Sequence, residues 1–302
     1  MSKLDTYEAV TAAIVAQLEA GTKPWKMEWQ TGGAGGAMPL RHNGQQYRGI
    51  NVLILWAAAA QAGYRSATWM TFKQAIELGG AVRKGEKGTH IVFFKPLTIK
   101  EKNAAGEVED KEIRMIKTYC VFNVDQIEGL PERFAPAPVE VVAGLERDQA
   151  AEAALRSCGA EIREGGDRAF YAPGPDVVVM PDLHRFTNAG AYLATLAHEL
   201  CHWTGHASRL GRELLNKFGS KDYAFEELVA EIGAAFVGSR LGIVGDHIDN
   251  HAAYLASWLK ALKNDKRMIF RAASLAQAAA DLVLAQAGAG ELEDVVQVAR
   301  AA

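Results

Sequence analysis

Cysteine is scarce in this 302-residue sequence: Cys120, Cys158 and Cys201 are the only three, widely spaced, with no CxxC pair among them. An odd, scattered set argues against a disulfide framework and fits a reducing compartment. Long apolar runs are also missing, none approaching the roughly 18 uninterrupted residues of a membrane-spanning helix. The first ten residues carry Lys3, Asp5 and Glu8 in place of the apolar stretch that a secretory leader needs. A cytoplasmic protein with no membrane partner is therefore expected. Internal repeats and low-complexity tracts are absent, and acids are sparse in one region. Residues 21–100 contain Glu28, Glu77 and Glu86 against eleven Lys and Arg.

The overall charge of −3 conceals that imbalance. Residues 1–133 hold 17 Lys and Arg against 14 Asp and Glu, a balance of +3, which leaves 16 against 22, or −6, for the remainder. The proline-bearing stretch Pro131 to Pro138 lies between them, and 302 residues suffice for two cores. The expected organisation is an N-terminal nucleic-acid-binding domain over 1–133, a linker over 134–142 and a second domain over 143–302.

Apolar residues at three- and four-residue intervals predict a helix from Asp5 to Ala20, stopped by Gly21. The glycines at 32, 33, 35 and 36 predict a loop over 30–44. Helices are expected over Ile50 to Ala62 and Trp69 to Leu78. Two β-rich runs, His90 to Phe94 and Ile113 to Asn123, are expected to pair. Beyond the linker, Leu145 to Cys158 reads as a helix, and Glu161 to Arg163, Ala169 to Tyr171 and Val177 to Met180 as short strands. Helices follow over Asn188 to Gly205, Tyr223 to Leu241, His251 to Leu262 and Ala272 to Ala287. The fold class is α+β, with an N-terminal α/β domain and a mainly helical second domain bearing a small sheet.

The run His198-Glu199-Leu200-Cys201-His202 has the HExxH spacing. Residues four apart share a helix face, so His198 and His202 can offer imidazole nitrogens to one tetrahedral ion. Glu199, one step round, can reach a metal-bound water as general base without ligating the metal. Such a site needs a third protein ligand. His206 lies four residues further on, but Gly205 ends the helix first. The pattern HExxHxxGxxH would place a third histidine where this sequence has Ser208, which argues against a metzincin. A later carboxylate remains: Glu227 as ligand with Glu231, four residues on, orienting a ligand histidine. This arrangement looks like a gluzincin, with Glu226 as the alternative ligand. Zn²⁺ is the expected ion, with Mn²⁺ or another transition ion as alternatives. Tyr223, Tyr254 and His251 are candidate oxyanion donors, and Val177 to Met180 is the candidate strand for edge pairing with substrate.

Single-strand binders interleave cations with aromatic faces on which bases stack. Lys23, Trp25, Lys26, Trp29, Arg41, Tyr47, Arg48, Trp69, Lys73, Arg83, Lys84 and Lys87 do so here, the last three in a glycine-punctuated basic turn.

The phrases Tyr47-Arg48-Gly49-Ile50-Asn51, Trp69-Met70-Thr71-Phe72-Lys73-Gln74-Ala75 and Val82-Arg83-Lys84-Gly85-Glu86-Lys87-Gly88-Thr89 resemble the N-terminal domain of ArdC antirestriction proteins. That domain is similar to part of some plasmid conjugation primases. His198 to His206, Glu226 to Phe236 and Tyr254 to Lys260 resemble the family's zincin-like metallopeptidase domain. The resemblance implies a protein that binds single-stranded DNA entering a recipient cell during plasmid conjugation and protects it from restriction. Its zinc-dependent metalloprotease centre would act on an unknown protein substrate. The alternative is a non-catalytic coat on single-stranded DNA in which the metal is structural.

Overall fold

In the computed structural model, residues 3–25, 37–102, 108–135, 144–214, 220–243 and 251–286 are described. The N-terminal half consists of α1 (Lys3–Glu19), β1 (Leu40–Arg41), α2 (Ile50–Ala62), β2 (Thr68–Thr71), α3 (Phe72–Glu77), β3 (Ala81–Val82), β4 (Thr89–Lys102), β5 (Val108–Asn123) and β6 (Ile127–Glu128). Strands β4 and β5 form a long antiparallel ribbon. They extend a four-stranded sheet of order β1-β2-β5-β4, and β3 pairs with β6 beside it.

The helix expected over Trp69 to Leu78 begins late. Residues 68–71 form strand β2, in which 69–71 pair with β5, and Trp69 and Met70 are buried on opposite faces. Thr71 then opens α3 through a capping box with Gln74. The continuous apolar character of Trp69-Met70 is that of a strand covered on both sides.

The second half contains α4 (Gly144–Arg156), β7 (Glu161–Glu164), β8 (Phe170–Ala172), β9 (Val177–Met180), α5 (Ala189–Trp203), α6 (Lys221–Leu241), α7 (His251–Asn264) and α8 (Met268–Gln286). Its sheet has the order β7-β9-β8, so Val177–Met180 is the central strand, paired on both edges. It cannot take a substrate strand as expected from sequence. The outer edge near α5 belongs to β8. Within α8 an 18-residue window, Met268–Ala285, is apolar and long enough to cross a bilayer, but 61% of it is buried inside the protein as core.

The two units share one hydrophobic core, running from Ile14 and Leu18 of α1 through Leu53 and Trp56 of α2 to Phe236 of α6 and Val283 of α8. Trp56 meets Phe236 edge-on at 5.7 Å. Helix α1 packs on α7. Thr11 donates to the Lys266 carbonyl at 2.8 Å and Tyr7 stacks edge-on against Phe270 at 4.7 Å. Most of the expected linker, from residue 136 onward, lies outside the described residues.

The β8–β9 turn is tied to the end of α5 by Arg209, whose guanidinium donates to Asp176 and lies 4.0 Å from the Trp203 ring centroid. Asp176 also accepts from the Tyr171 hydroxyl at 2.6 Å. The Arg209 hydrogen bonds are the chief reason that its carboxyl is held down at about 2. A folded pKa below the unfolded value of about 3.9 adds stability at neutral pH that disappears as pH falls through about 2. Denaturant melts should show Asp176→Asn costing about 1 kcal/mol at pH 7, discounted for solvent exposure, with the difference closing towards pH 2. A constant penalty across that range would contradict the ion pair.

Candidate metal centre

Helix α5 starts at Asn188, whose side chain accepts from the Ala191 amide at 2.8 Å. From Gly190 to Trp203 it is buried almost throughout, including His198 and Glu199. Beyond Thr204 the chain doubles back, with Leu210 and Arg212 amides donating to the Thr204 and Gly205 carbonyls. A β-carbon on Gly205 would lie 2.8 Å from Leu214 and 2.9 Å from the Arg212 guanidinium. Glycine thus leaves room there for the Arg212 guanidinium, which its hydrogen bonds to Cys201 and Thr204 hold in place.

That return delivers Arg212 to the metal motif. Its guanidinium donates to the Cys201 carbonyl at 2.6 Å and to Thr204 Oγ1 at 3.0 Å, and engages Glu226 through two contacts of 2.9 Å. Glu226 comes from α6, which Ser220 caps at Tyr223. Helix α6 lies close against α5 because Gly233 faces Cys201, where a β-carbon would stand 2.7 Å from the thiol sulfur. Burial pushes that thiol up to about 12, so Cys201 is a neutral packing group.

The approach brings three donors together. His198 Nε2 and His202 Nε2 are 3.1 Å apart, and the Glu227 carboxylate oxygens lie 3.5 Å from the first and 3.6 Å from the second. Donor atoms of His198, His202 and Glu227 all fall within 4.8 Å of one another. Tetrahedral ligands with zinc bonds of about 2.0–2.1 Å stand about 3.3–3.4 Å apart, so the set fits a small ion.

The opposite sides of both rings also face carboxylates. His202 Nδ1 is 3.1 Å from Glu226, and His198 Nδ1 is 3.8 Å from Glu231. Glu226 and Glu227, adjacent in sequence, therefore occupy different positions: Glu227 faces both Nε2 atoms, whereas Glu226 braces His202 from behind. At 3.1 Å the Glu226 carboxylate on His202 Nδ1 fixes the tautomer that leaves that ring's Nε2 free to bind an ion, whereas Glu231, at 3.8 Å, acts on His198 as a nearby charge.

The charge of the site suits a cation. Among the described residues, Glu199, Glu226, Glu227 and Glu231 are buried carboxylates, of which Glu226 pairs with Arg212 and Glu231 with Lys23. Buried negative charge requires compensation. In the protein alone the histidines take up that role. Burial would push His198 down, but Glu227, Glu199 and Glu231 outweigh it and hold His198 up at about 9. Burial would likewise raise Glu227, but His198 and His202, with a hydrogen bond from Tyr223, hold it down at about 2.

The other sequence-predicted residues are distributed as follows. His206 is turned away to Ser208 Oγ at 2.7 Å, outside the cluster. Tyr223 bonds Glu227 and so borders the site. Tyr254 and His251 lie in the first turn of α7, where side chains are outside the described set. Lys26 and Trp29 are also outside the described residues. Trp25, Tyr47 and Trp69 are 3%, 5% and 1% exposed, so these rings are core and no base can stack on them. Lys23 is not a phosphate contact either, since it is paired with Glu231 at 2.6 Å. Arg41, Arg48, Lys73, Arg83, Lys84 and Lys87 are exposed. Of these, Arg48 pairs with Asp281, Lys73 with Glu77 and Arg83 with Glu86.

Sequence reasoning missed Arg212 at the centre, for which no local motif gives a signal. It also missed two exposed aromatics of the ribbon. Opposite pairs on an antiparallel ribbon share a face. Phe94 and Ile116, one such pair, pack on the core, Phe94 against Phe270. The other face carries Phe93, 51% exposed, and Tyr119, 46% exposed, with ring centroids 6.3 Å apart. Exposed Lys117, opposite Phe93, and Lys95 flank them. In the run Ile91-Val92-Phe93-Phe94 every residue is apolar, which hides the alternation.

Comparison with known proteins gives two family matches in order along the chain. Residues 4–122 match the N-terminal domain of anti-restriction factor ArdC, and residues 149–275 match a zincin-like metallopeptidase family. The chain is 39% identical over 296 residues to the uncharacterized protein y4eC of Sinorhizobium fredii, covering 96% of this chain and 95% of that one. It is 40% identical over 294 residues to a DNA primase TraC of Escherichia coli, matching 92% of this chain but only 20% of the primase. Among solved structures, the metal-free antirestriction protein ArdC from plasmid R388 superposes with a TM-score of 0.78 at 48% identity, over 94% of this chain and 98% of that one. The Mn(II)-bound structure of the same protein gives 0.76 at 48% identity, over 93% and 97%. With both halves matched in order and a full-length structural relative at this identity, the chain belongs to the ArdC antirestriction family.

Proposed function

We propose that this chain is an antirestriction protein that binds single-stranded DNA entering a recipient cell during plasmid conjugation and carries a zinc-dependent, gluzincin-like peptidase centre. The observation that carries the enzymatic half is the triangle of His198, His202 and Glu227 with a carboxylate behind each imidazole. The two-imidazole, one-carboxylate set suits Zn²⁺. Mn²⁺ is the alternative, because the R388 relative has been solved with Mn(II). Once bound, the ion supplies Lewis acidity towards a scissile carbonyl and an attacking water. Glu199, buried beside His198, takes the proton at its carboxylate and returns it to the leaving amine. Tyr223 borders Glu227 from which it can also face a substrate oxyanion. The outer edge of β8 replaces β9 as the strand against which an extended protein substrate would lie.

For the nucleic-acid half, the stacking surface is the ribbon face with Phe93 and Tyr119, and Lys95, Lys117 and the turn Arg83 to Lys87 supply cations for phosphates. The cellular setting draws on the family and on the primase relative, whose name connects it with DNA.

One experiment with two arms tests the proposal. Glu199→Gln should keep its metal by elemental analysis while cleavage of a protein target falls about 10²–10⁴-fold. Undiminished cleavage would remove Glu199 from the mechanism, and intact antirestriction without cleavage would leave only the DNA coat. Phe93→Ala with Tyr119→Ala should weaken binding to an oligothymidylate by about 1–3 kcal/mol per stacked base at unchanged salt dependence. Lysine replacements at 95 and 117 should instead flatten the salt slope by about 0.7 each. Wild-type affinity in the aromatic double variant would place the interface elsewhere.

A further inference from the structure

Glu231 is the carboxylate behind His198, and the groups that hold it come from the opposite end of the chain. Lys23 Nζ donates to Glu231 Oε1 at 2.6 Å, and the Trp25 indole N–H lies 3.4 Å from the same oxygen. The other oxygen, Oε2, stands 3.8 Å from His198 Nδ1. Lys23 is 13% exposed and Glu231 4%, so the pair is shielded from solvent. Trp25 is buried edge-on against Trp258 of α7 at 6.1 Å, and Trp258 itself donates to the Ala224 carbonyl of α6 at 2.8 Å. Residues 23–25 are delivered there by α1, whose docking on α7 and α8 includes the Thr11 to Lys266 hydrogen bond and the Tyr7 and Phe270 ring contact. The zincin-like match begins only at residue 149.

We infer that Lys23 is a positioning residue for the metal centre, so that the N-terminal segment completes the surroundings of a site whose ligands all lie in the C-terminal half. The inference rests on the metal-binding reading of His198. Two donors converging on Oε1 fix the rotation of the Glu231 carboxylate and therefore the direction of Oε2. Oε2, 3.8 Å from Nδ1 and so a charge contact longer than a hydrogen bond, faces the back of the His198 ring and favours the orientation and tautomer that turn Nε2 towards the ion. A carboxylate held this way keeps Nε2 aimed at the ion; released, it can turn away or be neutralised, and the ring loses its guide. Because binding free energies are reciprocal, metal loading must strengthen the seating of residues 23–25 by the same factor that their seating strengthens metal binding.

The test uses the full chain with Zn²⁺ as probe and a competing chelator to read affinity. Lys23→Met, which keeps the stem and removes the charge, should weaken Zn²⁺ binding by up to about 10-fold, the lower end of the range for a direct outer partner of a metal ligand such as Glu231. Lys23→Arg should restore most of that loss. In a Glu231→Gln background, Lys23→Met should have little further effect, since the two residues act through one contact. A purely structural lysine would lower the melting temperature without changing Zn²⁺ affinity, and that result would overturn the inference. An equal loss with and without Glu231 would do the same. A wild-type protein that binds no Zn²⁺ or Mn²⁺ would instead defeat the metal reading itself. A measurement on the wild type avoids any folding defect: bound Zn²⁺ should slow amide exchange at Thr22, Lys23 and Trp25, and unchanged exchange there in protein shown to hold Zn²⁺ overturns the proposal.

Discussion

Replacing Glu227 by alanine is expected to leave a folded protein that no longer retains a stoichiometric metal ion. Its carboxylate oxygens stand 3.5 and 3.6 Å from the two Nε2 atoms, where the proposed third ligand would lie. Removing it leaves two imidazoles, fewer than the three protein ligands of catalytic zinc sites. The neighbouring change, Glu226→Gln, should weaken binding only about 10–100-fold, because Glu226 reaches the ion through His202. Side-by-side elemental analysis and chelator competition on the two variants decide between adjacent glutamates. The assignment fails if Glu227→Ala binds Zn²⁺ like the wild type while the Glu226 variant loses it. The same Glu227 variant should abolish any peptidase activity.

The second large effect is expected at Arg212. Its side chain is 5% exposed and holds Glu226, itself buried, through both carboxylate oxygens. The same guanidinium closes the end of α5 through the Cys201 carbonyl and Thr204. Substituting methionine keeps much of the volume but strands a buried carboxylate and leaves acceptors unpaired. Breaking one side of such a pair costs about 3–5 kcal/mol, a large share of the about 5–15 kcal/mol that stabilises a domain. Denaturant melts of Arg212→Met should show that loss. Adding Glu226→Gln should recover part of it by removing the uncompensated charge. A penalty under about 1 kcal/mol would mean that water reaches the pair and that surface ion-pair energetics apply. Metal affinity should fall in the same variant, since Glu226 would no longer be held on His202 Nδ1.

Much of the fold was legible because local patterns agree with their surroundings. Ile50–Ala62 is helical over the span its apolar character predicts, bounded by Gly49 and Gly63 at positive φ. The ribbon from two β-rich runs and the helix around His198 were likewise readable, the latter because a four-residue histidine spacing has only one useful geometry on a helix. Trp69 to Leu78 reads as one helix although its first residues are a strand, because two adjacent buried residues look alike in a helix and in a covered strand. Val177 to Met180 could be read as a strand, but its place between β7 and β8 depends on pairing order, which its own residues do not encode.

By itself, the sequence determined that one helix face presents His198 and His202 with Glu199 beside them, that acids on a later helix compete for the third position, and that the two halves differ in charge. Those are properties of spacing and composition. The tertiary structure decided which of two neighbouring glutamates faces the Nε2 atoms, that Lys23 and Trp25 meet buried Glu231 instead of lying on an exposed surface, and which aromatics remain outside. An aromatic ring or a cation carries no mark in sequence of whether it faces solvent. That depends on which elements pack over it, and here α1 crosses to α7 while the ribbon face around Phe93 and Tyr119 stays exposed.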